Sequence, residues 1–551
     1  MTLTPVPGPG TTTRQPPPTE PEHAPVTRRF LARAALLTAS LSAAGALLGL
    51  VRDQSLARLF GAGRDTDAFL VAWTVPEFAA TLLIEDGLAF ALIPAFSMAL
   101  ARRARGAPGD PVRALVRGTL PRLTLTFTAV GAVLALGAPQ LVQVLAPGLP
   151  DPALAVDCTR LTATCVLTFG LAGYFSAALR AHRRFLAPAA IYVAYNTGIV
   201  TAMFALGGVW GVRSAAFGVA AGGVLMILTQ LPFLVGRLRN RPTVETPELP
   251  SAKPHPVNLP LMATVLLFAL CRQSQVLIER FLASSLPSGA ISHLNYAQKI
   301  AQIPMTMSMM LCTITFPVVA RALAEGDTER ARVRVERDLA VASQLVLLGT
   351  AAVVACAPQI VQLLFQRGAF TAQDTAATAG VMRVYAVGLL GQTLTGVLVR
   401  SYFSAGRPTW YPLGAMSAGV FATCLIGAAT VGTRGVTGIA AANATGITLT
   451  AVLLLSGMRG PRHGRRRGVP IRTRHVLREL SRPAGAALGA ALAGAWVASL
   501  PAGALAGLAA GGLTVITVFV LLGWALGAQG FAPALRSVRT HTRRLAHAVF
   551  R

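Results

Sequence analysis

Long apolar runs broken by short polar turns dominate this chain. A helix needs about 20 mostly apolar residues to cross a hydrocarbon core of about 30 Å. By that rule fourteen stretches qualify, at residues 33–51, 68–100, 119–145, 156–179, 187–209, 214–236, 258–282, 291–320, 339–365, 376–404, 410–431, 435–457, 482–500 and 503–528. The pattern predicts an all-α integral membrane protein. Residues 1–27 hold a Pro- and Thr-rich tract (TPVPGPGTTTRQPPPTEPEH) with no apolar run, expected to be a disordered tail. The first run follows Arg28 and Arg29 and lacks a convincing cleavage site, so it reads as an uncleaved anchor rather than a signal peptide.

The chain also repeats itself. APQLVQVLAPG from Ala138 is echoed by APQIVQLLFQRG from Ala357, each closing the third helix of a six-helix set. Arg58 in LARLF pairs with Arg280 in IERFL, Pro94 with Pro317, YFSA at Tyr174 with YFSA at Tyr402, and GVAA at Gly218 with GIAA at Gly438. The matches keep their order and nearly their offset. Six is an even number, so each half starts and ends on the same side of the membrane. The halves are therefore related by an axis along the membrane normal, as in transporters that rock two bundles about a central site. This predicts a bundle at 28–236, a cytoplasmic linker at 237–257, a second bundle at 258–457, and a basic linker at 458–481. Two added helices at 482–528 and a basic cytoplasmic tail at 529–551 complete the chain.

Composition agrees: 53% of residues are hydrophobic, 13% are charged and the mean hydropathy is +0.58. A net charge of +28 invites a nucleic-acid reading. The basic residues instead fill alternate turns, around Arg102–Arg117, Arg180–Arg184, Arg237–Lys253, Arg330–Arg337, Arg462–Arg474 and Arg536–Arg544. That alternation is the positive-inside bias of a multi-pass protein with both ends in the cytoplasm. No nucleic-acid partner is needed to explain it.

Ionisable residues inside spans are costly, and they mark pathways or partners. They concentrate on the first two and on the seventh and eighth segments: Arg52, Asp53, Arg58, Asp67, Glu77, Glu85 and Asp86, then Arg272, Glu279, Arg280, His293, Asn295 and Lys299. A cavity between two bundles would be lined there. Asp67 and Glu85, about five turns apart, would share one face of an unbroken helix, although Pro76 predicts a kink. Asp53, Arg64 and Asp65 read equally well as solvated loop charges. Arg272 and Glu279, two turns apart, read also as a self-neutralising pair.

At these residues the chain resembles the MurJ (MviN) lipid II flippases. The similarity is carried by GLVRDQSLARLFGAGRDTDAFLVAWTVPEF from Gly49, EDGLAFALIPAF from Glu85, NYAQKIAQIP from Asn295, LFQRGAFTAQDT from Leu364 and YFSAGRPTWYP from Tyr402. The resemblance implies flipping of the undecaprenyl-pyrophosphate-linked peptidoglycan precursor across the bacterial inner membrane by alternating access. It places Arg52, Asp67, Glu85 and Lys299 in the cavity; Glu77 and Asp86 are acids added against the family pattern, and Arg272 is a candidate to replace part of the missing positive charge from the other half. Where the family commonly has arginines, this chain has Ala46, Ala80 and Thr81, and Glu77 stands where asparagine is usual.

No GxxxxGK[ST], HExxH or GxSxG is present, so the sequence offers neither an ATP site nor a catalytic set, and no cofactor or metal site. The six cysteines lack CxxC spacing and read as small packing residues. Three readings follow: a lipid II flippase, an exporter of another polyprenyl-linked glycan on the same fold, and a non-transporting scaffold or regulator. The basic cytoplasmic segments would be the surface offered to cell-wall synthesis partners.

Overall fold

The computed structural model describes residues 28–85, 87–106, 109–239, 259–313, 319, 321–323, 325–403, 409–458 and 469–528. The expected tails, most of the first linker, residues 459–468 of the second, Asp86 and Pro317 lie outside these residues. Among the described residues all regular structure is helical. In the first half, α1 is Arg28–Phe60. The second predicted span contains α2 (Arg64–Ala72), α3 (Thr74–Ala79), a π-helical turn at Ala80–Glu85, and α4 (Gly87–Ala104). Then come α5 (Pro111–Leu136), α6 (Ala138–Leu145), α7 (Pro152–Ala163), α8 (Cys165–Ala181), α9 (Leu186–Trp210) and α10 (Arg213–Arg239). The second half runs α11 (Leu259–Ala283), α12 (Ala290–Ala301), α13 (Ile303–Thr313), α14 (Thr328–Phe365), α15 (Ala372–Val387), α16 (Leu389–Phe403) and α17 (Tyr411–Gly457). Last are α18 (Thr473–Ala498) and α19 (Ala504–Ala525).

Local chemistry sets several starts. Asp110 caps α5 by accepting from the Val112 and Arg113 amides at 3.1 and 3.3 Å, with Pro111 in the first turn where no amide is needed. Asp151 and Pro152 repeat that arrangement at α7, and Thr371 with Asp374 forms a capping box on α15.

The sequence repeat is also a repeat of helix breaks. The second span breaks at Trp73 and the eighth at Gln302. The APQ phrase begins directly after a break in both copies, at Gly137 before α6 and at Cys356 inside α14 (φ −105°, ψ 18°). The fourth span breaks at Thr164, and the tenth at Gly388, where α15 and α16 bend by 43°. Gly211 joins α9 to α10 at φ 55°, ψ −141°, and Gly435 makes nearly the same turn inside α17 at φ 53°, ψ −133°. Both fall in a left-handed region where a side chain is strained.

By length and hydropathy, ten helices qualify as spans among the described residues, or eleven if the bent α15–α16 pair counts as one. The expected fourteen is larger for three physical reasons. The 47-residue α17 carries both the eleventh and twelfth predicted spans across the Gly435 turn. The eighth is split at Gln302, and α18 starts at Thr473 inside the basic stretch expected to be linker.

Close packing follows small residues. Within the first half α9 and α10 approach through Gly198, Gly218 and Gly222, and a Cβ on Gly222 would stand 2.6 Å from the Tyr195 carbonyl oxygen. The helices outside the repeat, α18 and α19, pack on each other and on α14 through an alanine-rich face. Gly222→Val is expected to lower the unfolding temperature of the detergent-solubilised protein, with an overpacking penalty of about 1–3 kcal/mol. An unchanged melting curve would contradict this account of the α9–α10 contact.

Candidate functional site

A small cavity lies where α1, α2, α9, α10 and α12 meet, walled in part by Arg52, Asp53, Phe69, Trp73, Met203 and Lys299. Asp53 is 6% exposed and joins two cations. Arg52 donates to its Oδ1 from Nη2 at 2.8 Å and from Nε at 3.0 Å, and Lys299 Nζ stands 3.3 Å from both carboxylate oxygens. Arg52 belongs to the first half and Lys299 to the second, so this carboxylate ties the halves together. The Arg52 guanidinium also stacks over Trp73, 4.5 Å from the ring centroid, and Lys299 Nζ lies 5.6 Å from it. Asn196 completes the set. Its Oδ1 accepts from Arg52 Nη1 at 3.1 Å, and its amide nitrogen donates to the Gly45 and Tyr192 carbonyls. One carboxylate between two cations leaves the cluster with one positive charge in excess, in surroundings of low dielectric.

A second cross-half pair lies one turn along. Arg280 on α11 donates to Glu77 Oε2 at 2.7 Å and to the Thr74 hydroxyl, both on α3. Glu279 beside it accepts from Tyr385 Oη at 2.6 Å and from Asn443 Nδ2. Its oxygens therefore bond to α15 and α17, and the Arg272–Glu279 pair considered from spacing does not form.

Asp67 does not stand beside Arg52 and Lys299. Helix α12 starts at Gly289, which has no side chain to cap it and adopts φ 97°. Asp67 supplies the cap from the other half, accepting from the Gly289 and Ser292 amides at 2.6 and 2.7 Å and from Ser292 Oγ at 2.5 Å. Both oxygens are used, which corrects the expectation of a cavity-lining acid. Glu85 lies at the exposed end of the π turn and accepts from Tyr192 Oη at 3.1 Å. The breaks at Trp73 and Ala80–Glu85 separate it from Asp67, so the two share no helix face. Arg272 is exposed on α11 and makes no side-chain bond among the described residues. Asp86 is outside them.

The ties between halves gather at one end. The Ala369 amide donates to the Arg58 carbonyl at 2.9 Å, the Gly148 amide to Ser284 Oγ at 3.3 Å, and Asp67 caps α12. These contacts join the turns that follow the first, third, seventh and ninth spans, which all face one side. Toward the opposite side exposure rises: the Glu77 side chain is 28% exposed, and Glu85 and Arg272 are exposed. Charged side chains inside a span are costly against lipid. The odd-turn end is thus the one at which the Ala369, Gly148 and Asp67 bonds hold the halves together. Trp73 and Asn196 are site residues that the sequence pattern does not single out. Asn196 is visible as a lone amide in the apolar run IYVAYNTGIV, whereas nothing local marks Trp73 as a cation platform.

An all-helical membrane body with repeated breaks and a cationic cavity between its halves has the architecture of a two-bundle exporter. The chain matches the family model described as "Lipid II flippase MurJ" over residues 56–506, and it belongs to that family. Among curated relatives, "Lipid II flippase MurJ" of Burkholderia cenocepacia is 27% identical over 384 residues, covering 68% of this chain and 73% of that protein. "Probable lipid II flippase MurJ" of Thermotoga maritima is 28% identical over 422 residues, covering 75% and 80%. A solved structure titled "Lipid II flippase MurJ, inward closed conformation" superposes with a TM-score of 0.69 at 17% identity, covering 91% of this chain and 100% of that one. An inward-facing multidrug resistance MATE family transporter of the MOP superfamily gives 0.60 at 15% identity, covering 76% and 96%. These structural likenesses establish the fold.

Asp67→Asn removes the charge from the cap that closes the odd-turn end, where a charge-assisted hydrogen bond contributes about 1.5–3 kcal/mol. In a cysteine-free background carrying Ala290→Cys, a buried position beside that cap, maleimide labelling is expected to rise roughly tenfold with Asp67→Asn. Labelling at the parental rate would show that the cap does not hold this end shut.

Proposed function

We propose that this chain is a flippase for lipid II, carrying the undecaprenyl-pyrophosphate-linked peptidoglycan precursor from the inner to the outer leaflet of the bacterial cell membrane. The observation that carries this reading is the Arg52–Asp53–Lys299 cluster, buried at the junction of the two halves with a positive charge in excess. A pyrophosphate needs fixed cations where water is scarce, and guanidinium suits it by its planar fork. In this reading Arg52 and Lys299 bind the anionic headgroup, while Glu85 and Arg272 stand along the vestibule through which it arrives. Asp67 acts as the clasp of the closed end.

The positive-inside pattern puts both chain ends and the even turns in the cytoplasm. The closed odd-turn end is then the outer one, and the cavity faces inward. Release to the outer leaflet requires the cross-half ties to break and the halves, 28–236 and 258–457, to rock about the cluster. With no P-loop in the chain, the drive is the membrane potential or an ion gradient, worth about 2.3 kcal/mol per elementary charge per 100 mV. The chemistry is translocation, with no bond made or broken in the cargo. A second reading, another polyprenyl-linked glycan as cargo, is favoured by Ala80 and Thr81 standing where the family commonly places arginines.

Expression in a bacterium depleted of its resident lipid II flippase is expected to restore growth and outer-leaflet lipid II. Arg52→Ala and Lys299→Ala are each expected to abolish rescue, and Lys299→Arg to retain it, since removing one charge-assisted hydrogen bond weakens binding by roughly ten- to a hundredfold. Normal membrane expression without rescue would move the reading to the other cargo or to a scaffold.

A further inference from the structure

The absence of arginine at positions 80 and 81 raises a question of charge, because Arg52 and Lys299 together share one acid. The structure holds a third cation within reach. Trp73 and Glu77 are one helical turn apart across the α2–α3 junction, so Glu77 continues the face that Trp73 presents to the cavity. Glu77 is near enough to act electrostatically on both Arg52 and Lys299. Behind it lies Arg280, its side chain only 5% exposed, held by Glu77 and Thr74.

We propose that Arg280 is a pyrophosphate ligand of this cavity and that Glu77 is its resident counter-ion, which the cargo displaces. The inference rests on the lipid-pyrophosphate reading above and adds a residue and an exchange to it. A buried guanidinium left without an anion is strongly unfavourable, so the empty cavity needs an acid at this point. Glu77 fills the role without being locked in. At 28% side-chain exposure it opens onto the vestibule, and the contact to Arg280 at 2.7 Å is its sole bonded ion pair among the described residues. Asp53 differs, being 6% exposed and held by two cations. A pyrophosphate oxygen arriving at Arg280 takes over the guanidinium N–H that Glu77 accepted, and Glu77 turns into water. No covalent bond changes.

The exchange also has a mechanical result. Glu77 belongs to the first half and Arg280 to the second, so their bond is one of the ties that hold the empty protein closed. Cargo binding breaks it and presents one anion to cations of both halves, Arg52 from the first and Lys299 and Arg280 from the second. The added acid and the absent arginines then form one arrangement, with the third cation moved from the π turn to α11 and masked until cargo arrives.

The test is the affinity of the purified full-length protein for undecaprenyl diphosphate in detergent micelles at fixed salt. Glu77→Gln removes the competing charge and is expected to tighten binding about tenfold, while Arg280→Gln weakens it about tenfold and Arg280→Lys falls between. In the Arg280→Gln background, Glu77→Gln is expected to give a clearly smaller gain, because the shared contact is gone and only the charge of Glu77 on Arg52 and Lys299 remains to be removed. If Glu77→Gln weakens binding or leaves it unchanged, the pair is a strut between halves and the proposal falls. Should Arg280→Gln fail to fold, Glu77→Gln and Arg280→Lys carry the comparison. Binding that is abolished by Arg52→Ala yet indifferent to changes at 77 and 280 would overturn this inference and leave the cargo reading standing. A wild-type chain that does not bind undecaprenyl diphosphate would overturn both.

Discussion

The bond that organises this molecule is the one from Asp53 to two cations on opposite halves. Arg52 and Lys299 cannot be buried together without an anion between them, since like charges repel strongly where water is excluded. Asp53 supplies it, and Trp73 lays its ring against both cations. The result is a site that is stable when empty yet keeps an unsatisfied positive charge. It also lies on the seam, so whatever competes for those cations acts on how the halves meet.

The helix breaks make that coupling mechanical. Trp73, Gly137 and Thr164 in the first half answer Gln302, Cys356 and Gly388 in the second. Each break lets one portion of a span re-aim without unwinding the rest. The ties at the odd-turn end combine a few polar bonds with an apolar cluster that crosses both halves and includes Ala146, Leu149, Ala283, Ile291 and Phe370, and the polar bonds can be exchanged for water when the halves separate. A body built on two such halves has two ways of closing. The structure shows one of them.

Much of this is legible in the sequence. The apolar runs place the helices, and the doubled APQ phrase marks a break that recurs at the same point of each half. Arg52 and Lys299 stand out because charge in a span is costly. Asp67 misleads for a physical reason: a capping acid and a cavity acid look alike in sequence, and the helix it caps begins in the other half at a glycine with no side chain to signal its need. Glu279 misleads similarly, because i and i+7 spacing along α11 suggests Arg272 while its real partners, Tyr385 and Asn443, come from helices brought alongside only by the fold. Trp73 carries no charge and sits in an apolar context, so its role depends entirely on what stands above it. The count of spans is blurred where Gly435 folds one long helix back within a continuous apolar run.

The claim on which the whole account depends is that cargo crosses only if the odd-turn end opens. Arg58 and Ala369, joined there by a backbone hydrogen bond, offer a place to hold it shut. Cysteines at these two positions in an otherwise cysteine-free chain, linked by a short reducible crosslinker, would lock that end in cells that rely on this protein for lipid II export. Outer-leaflet lipid II should fall on crosslinking and recover when the linker is reduced. Export that continues at the same rate with the end locked would contradict alternating access through the cavity described here.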